Sequence, residues 1–235
     1  MKRREGPPKK FRIFQLGTNN WQSAEEFAPG SGILHKAHHD TYNAMPNTQC
    51  WSIFPSKVQK FNKPDVRVFE LEHDIPICES VSPVSNYRWH SMSEDNFQAY
   101  RKRLAKEVCA FMDEIEKSEG APFDLCIAHH TFLNPLVMRD VICSRAAKRE
   151  GGKKEPLVVF VHGTALKMFI HEKKGAAPEE YPLRFFPMMQ KEKVFESVAG
   201  AFAISEVLDL ECNTFFDPTS VLSTLPSLIP SWFTN

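Results

Sequence analysis

Two runs in this chain, Leu125-Cys126-Ile127-Ala128 and Leu157-Val158-Val159-Phe160-Val161, are apolar at every position. A strand with one face in water alternates apolar and polar residues. A strand that is apolar throughout has both faces covered, which is the situation of a parallel sheet lying between two layers of helices. The runs therefore predict an α/β fold, a doubly wound and mainly parallel Rossmann-like sheet with helices on both faces. The remaining segments fit that frame. Strands are expected at residues 11–16, 49–54, 67–71, 123–128, 157–161 and 199–204, and helical spacing recurs at 33–43, 94–119, 133–149, 182–196 and 206–215.

The chain has 235 residues, enough for a core that needs no disulfide support, and 29 basic residues balance 29 acidic ones. That balance removes the general electrostatic argument for a nucleic-acid or anionic-membrane partner. Hydrophobic residues at 42% and charged residues at 25% exclude disorder and coiled coil as overall descriptions. The six cysteines, at 50, 78, 109, 126, 143 and 212, form no C-x-x-C pair, so neither a zinc ribbon nor a disulfide framework is indicated. Reduced thiols fit a cytoplasmic location. No run reaches the length of a transmembrane span, and residues 1–10 are basic without the apolar segment of a signal peptide. The expected division is a basic tail over 1–10, a Rossmann-like domain over 11–223 and an irregular tail over 224–235. Residues 73–92 read as a long irregular connection and 151–155 as a charged surface turn.

In a parallel α/β sheet, ligands bind beyond the carboxyl ends of the strands, above all where strand order reverses. Chemistry should therefore follow each strand. Gly17-Thr18-Asn19-Asn20-Trp21 follows the first, and Pro29-Gly30-Ser31-Gly32 precedes the helix near residue 33. A glycine-rich turn at a helix N-terminus offers backbone N–H groups and the positive end of the helix dipole to a phosphate or a sugar hydroxyl. The spacing matches neither the dinucleotide fingerprint nor the phosphate loop.

His129-His130 follows the apolar strand ending at Ala128, and His162-Gly163-Thr164 follows the one ending at Val161. With Ser205 after the next strand, these groups are expected to meet on one crevice, where an imidazole can exchange hydrogen bonds or move a proton. Ser205 also suits the cap of a helix starting at Glu206. His35, His38 and His39 lie on neighbouring positions of one helix. They lack the His-Glu-x-x-His pattern, so no metal site is expected, and the simpler reading is a polar helix face partly buried against loops.

Taken in order, Gly17-Thr18-Asn19-Asn20-Trp21-Gln22, Pro29-Gly30-Ser31-Gly32, His129-His130, His162-Gly163-Thr164 and Ala203-Ile204-Ser205-Glu206 resemble the N-terminal domain of GT-B glycosyltransferases. The likeness is to the retaining branch that includes sucrose synthase and sucrose-phosphate synthase, over about residues 11–223. It implies an acceptor-side domain of an enzyme that transfers a sugar from a nucleotide-sugar donor to a hydroxyl acceptor with retention. The nucleotide-sugar is a co-substrate, and no separate cofactor is implied. The resemblance assigns His162 the catalytic position, stabilising charge at the reacting sugar through hydrogen bonds. Gly30, Ser31, Gly32, His129, His130, Gly163, Thr164 and Ser205 become its substrate-binding residues.

The family's second domain, which carries basic residues for the diphosphate and a paired-glutamate element for the donor, finds no room after Ser205-Glu206. Glu172 and Glu180 have the glutamate spacing by accident of a loop. The expectation is an incomplete enzyme that shows little transfer alone and works with a C-terminal donor-binding domain in trans. A non-catalytic carbohydrate- or nucleotide-binding module is the competing reading. A metal-dependent hydrolase using His35, His38, His129, His130 and His162 is a third.

Overall fold

The computed structural model describes residues 10–17, 33–55, 62–70, 93–130, 133–161 and 192–203. Six strands form one sheet: β1 (Phe11–Leu16), β2 (Thr48–Pro55), β3 (Val66–Phe69), β4 (Leu125–His129), β5 (Leu157–Val161) and β6 (Gly200–Ala203). Their order is β3-β2-β1-β4-β5-β6 and every neighbouring pair is parallel. Three helices accompany them, α1 (Ile33–Ala44), α2 (Glu94–Glu119) and α3 (Asn134–Lys148), with a short 3-10 turn at Val194–Ser197. The doubly wound Rossmann-like fold expected from the two apolar runs is the fold found.

Alternation sorts the side chains of each strand between the two helical layers. Ile13, Cys50 and Ile127 form a small cluster on the α1 side, with Tyr42 of α1 against it. Phe14, Leu16, Trp51, Ile53, Cys126, Ala128, Val159 and Val161 point the other way, into the large core built with α2 and α3. α2 supplies Phe97, Tyr100, Leu104, Val108, Phe111, Met112 and Ile115, a stripe at three- and four-residue spacing. Burying each such side chain is worth about 1.5–3 kcal/mol.

The ends of α2 follow from its sequence. Ser93 is the N-cap, its side chain accepting from the Asn96 amide, and Glu94 and Asp95 sit at the positive end of the dipole. Gly120 closes the helix at φ 70°, a conformation that glycine adopts without a Cβ penalty, and donates to the Glu116 carbonyl. α3 begins with Pro135 in its first turn, where the missing N–H costs nothing.

Two expectations change. The segment 151–155 is a surface turn only through Lys154; Glu155 is buried, paired with Arg149 at 2.7 Å. The strand expected from residue 123 starts at Leu125, because Phe123 turns into the core edge-on to Phe14 and Trp51. Of the helix expected at 182–196, only the turn at Val194–Ser197 falls among the described residues, and the one expected at 206–215 lies outside them. Among the described residues, no helix is long and apolar enough to cross a membrane.

Candidate functional site

From β1 the chain steps to β2 and β3 on one side, then crosses by way of α2 to β4 on the other. The carboxyl ends of β1 and β4 therefore flank the topological switch point, where a doubly wound sheet leaves a crevice between diverging connections. Register places Leu16 opposite Ala128, so Gly17 and His129 stand side by side one position further on. Asn134, at the start of α3, ties the two ends together by donating to the His129 carbonyl at 3.1 Å and, at 3.5 Å, to that of Leu16.

His129 is the last residue of β4 and not the first of the following loop, so alternation aims its ring toward α1. It lies with its centroid 5.5 Å from that of His35, 5.4 Å from that of His38 and 5.7 Å from that of Phe160, stacked on the last at 17°. His130 leaves the strand at φ 71°, while its amide still donates to the Phe160 carbonyl. Both histidines are buried.

The three histidines of α1 pack on the sheet; the segments 18–32 and 162–191, where loops were expected beside them, lie outside the described residues. Their rings diverge. His35 stands edge-on to Phe54, His38 lies over Phe160 with a centroid separation of 4.6 Å, and His39 reaches Ser52 in β2. Among the described residues, no group of three or more His, Cys, Asp or Glu side chains is disposed to hold a metal ion.

A polar chain that sequence reasoning missed runs through this layer. The Gln15 amide donates from Nε2 to the His35 carbonyl and to Ser52 Oγ, both at 2.7 Å, while its Oε1 lies 3.0 Å from His129 Nε2. Ser52 Oγ is also 2.7 Å from His39 Nδ1. His39 Nε2 in turn faces Asn43 Nδ2 at 3.1 Å and Asp65 Oδ2 at 3.4 Å. Gln15 and Ser52 are fully buried. The available signal was that Gln15 and Ser52 are each flanked by large apolar residues, Phe14 and Leu16 or Trp51 and Ile53, since a buried polar side chain is kept only where its hydrogen bonds are met.

Burial pushes the His38 ring below its ordinary value. The same holds for His39, where burial outweighs the opposing pull of Asp65 and Asp40. Both therefore favour the neutral form. Asp65, His39 and Ser52 have the order of a hydrolase triad, but Ser52 lies mid-strand without solvent access and accepts from Gln15. It offers no nucleophile to a substrate.

Of the residues expected to line the crevice, the structure brings His129 and His130 to the β1–β4 edge. β5 ends at Val161 and β6 at Ala203 on that same edge. Gly30, Ser31, Gly32, His162, Gly163, Thr164 and Ser205 lie outside the described residues. No family model matches the chain, and a search of curated proteins finds no match either.

Proposed function

We propose that this chain is the N-terminal, acceptor-side domain of a retaining glycosyltransferase of the GT-B type, transferring a sugar from a nucleotide-sugar to a hydroxyl acceptor. The observation that carries the reading is the buried cluster of hydrogen-bonding groups, Gln15, His35 and His129, at the carboxyl edge of β1 and β4. A polyhydroxylated substrate is recognised by such preorganised donors and acceptors, and charge developing at the reacting sugar is stabilised by dipoles already in place. The ordered motifs of the sequence support the same reading and give His162 the catalytic role. Gly30, Ser31, Gly32, His130, Gly163, Thr164 and Ser205 complete the proposed binding set, and a donor-binding domain acts with it.

Calorimetric titration with UDP, ADP and their glucose conjugates tests this on the purified chain. The expected result is saturable binding of one of these, weakened roughly tenfold or more by His162→Ala and by His129→Ala, the loss of at least one charge-assisted or well-aligned hydrogen bond. A folded chain that binds none of them, or binds equally well in both variants, would remove the reading.

A further inference from the structure

We propose that Gln15 is a positioning residue for His129, holding that imidazole in the tautomer with its proton on Nε2. The assignment follows from which end of the Gln15 amide can face which partner. The His35 carbonyl, 2.7 Å from Nε2, can only accept, so the NH2 end of Gln15 must point there. The opposite end is then a carbonyl oxygen, 3.0 Å from His129 Nε2. An oxygen that can only accept requires a donor, so His129 carries hydrogen on Nε2. Nδ1 becomes the basic nitrogen of the neutral ring.

A second chain of fixed polarity supports Gln15 from below. Asn43 is clamped to one residue at two points: Nδ2 donates to the Cys50 carbonyl at 3.1 Å and Oδ1 accepts from the Cys50 amide at 2.8 Å. Its NH2 end therefore faces His39 Nε2, the nitrogen that Asp65 Oδ2 approaches at 3.4 Å. Ser52 Oγ receives Gln15 Nε2 and lies 2.7 Å from His39 Nδ1, so it stands between the two rings. Backbone groups at Cys50 and His35 thus fix the orientation of the Asn43 and Gln15 amides, and through Gln15 that of the His129 hydrogen bond. The polarity of the His129 ring is fixed before any ligand arrives, at no reorganisation cost upon binding.

Two-bond nitrogen–proton NMR correlation on histidine-labelled protein tests the assignment, with His129 identified by its absence in His129→Gln. The wild-type chain at about pH 7.5 is expected to show His129 as the Nε2–H tautomer. In Gln15→Met the Nε2–H fraction is expected to fall. Ser52→Ala, which leaves both the His35 and the His129 contacts of Gln15 in place, is expected to keep it. An Nδ1–H or doubly protonated His129 in the wild type overturns the proposal even if the Gln15 variant fails to fold. So does an unchanged tautomer in Gln15→Met, or its loss in Ser52→Ala.

The consequence for binding rests on the proposed function: Gln15→Met should weaken whichever of UDP, ADP or their glucose conjugates the wild type binds by roughly tenfold. The tautomer is read without ligand, so absence of binding in the wild type counts against the proposed function and not against the role of Gln15.

Discussion

The imidazole of His35 fills the space that a side chain at position 17 would need. A Cβ built on Gly17 would lie 2.6 Å from His35 Nε2 and 2.8 Å from Cδ2, closer than real contacts allow. The absence of a side chain at the end of β1 is therefore what lets α1 seat its first turn on the sheet. The same contact occupies the α1 side of Gly17.

Gly17→Ala is accordingly expected to destabilise the fold by about 1–3 kcal/mol, the range for forcing extra volume into a packed site. His35 is buried against Phe54 and His129 and has little room to move. His35→Ala in the Gly17→Ala background should recover part of the loss. Additive effects in a double-mutant cycle, measured by urea unfolding, would show that the two residues do not compete for the same space.

Stability should fall on acidification through the histidine layer. In the unfolded chain each ring titrates near its ordinary value of 6.5, whereas burial lowers both His38 and His39 in the folded state. The unfolded state thus binds more protons below that value, and the stability held above it is lost as pH falls toward the folded-state values. Around His39, Asp65 and Asp40 oppose this and Lys63 reinforces it. The urea midpoint of wild type minus that of His38→Phe should decrease between about pH 7.5 and about pH 5. A difference that stays level or rises would contradict the burial of a neutral ring at position 38.

Arg145, only 3% exposed, is the ionic centre of the α2–α3 interface. It pairs with Asp113 and Glu116 of α2, and its Nε lies 3.6 Å from Glu155 Oε1. Arg149 adds a second cation at 2.7 Å from the same Glu155 oxygen. Removing one partner of a buried pair leaves a charge in a medium that solvates it poorly, which is costlier than the pair is stabilising. Arg145→Met should therefore cost about 3 kcal/mol. Adding Glu155→Gln should restore part of it, and thermal unfolding of the two variants decides. A double variant less stable than Arg145→Met would mean that Glu155 is satisfied without Arg145.

Thiol reactivity should divide the cysteines by face and depth. Burial pushes the Cys50 thiol up to about 12, and Cys126, fully enclosed, is raised as well by burial and by the negative charge of Glu155. Cys109 and Cys143 are half-buried. Since the thiolate is the nucleophile, Cys50 and Cys126 should alkylate at least roughly a hundredfold more slowly in the native chain than in urea. Peptide mapping after iodoacetamide treatment checks this; equal native and denatured rates at Cys50 would place it outside the cluster with Ile13 and Ile127.

Much of the fold was legible because the elements carry their own signals. The continuous apolar runs of β4 and β5 marked strands covered on both faces, and the helical spacing over 94–119 matched the bounds of α2. His129 and His130 were placed at the correct sheet edge by the same reasoning. Less legible was anything that depends on a partner distant in the chain. Gln15 drew no functional reading, since its importance lies in meeting His129, 114 residues away, and the carbonyl of His35. Ser52, Asn43 and Asp65 carry no local functional signal for the same reason, and helical spacing shows that the α1 histidines share a face without showing that this face meets the sheet.

By itself the sequence determined the kind of sheet, its parallel sense and which residues stand at its carboxyl edge, since periodicity and burial on both faces are properties of local segments read one at a time. Only the tertiary structure decided which polar groups face each other within that sheet. Hydrogen-bond direction is a property of pairs: a glutamine, a histidine and a carbonyl acquire fixed donor and acceptor roles only when β1, β4 and α1 bring them within 3 Å of one another.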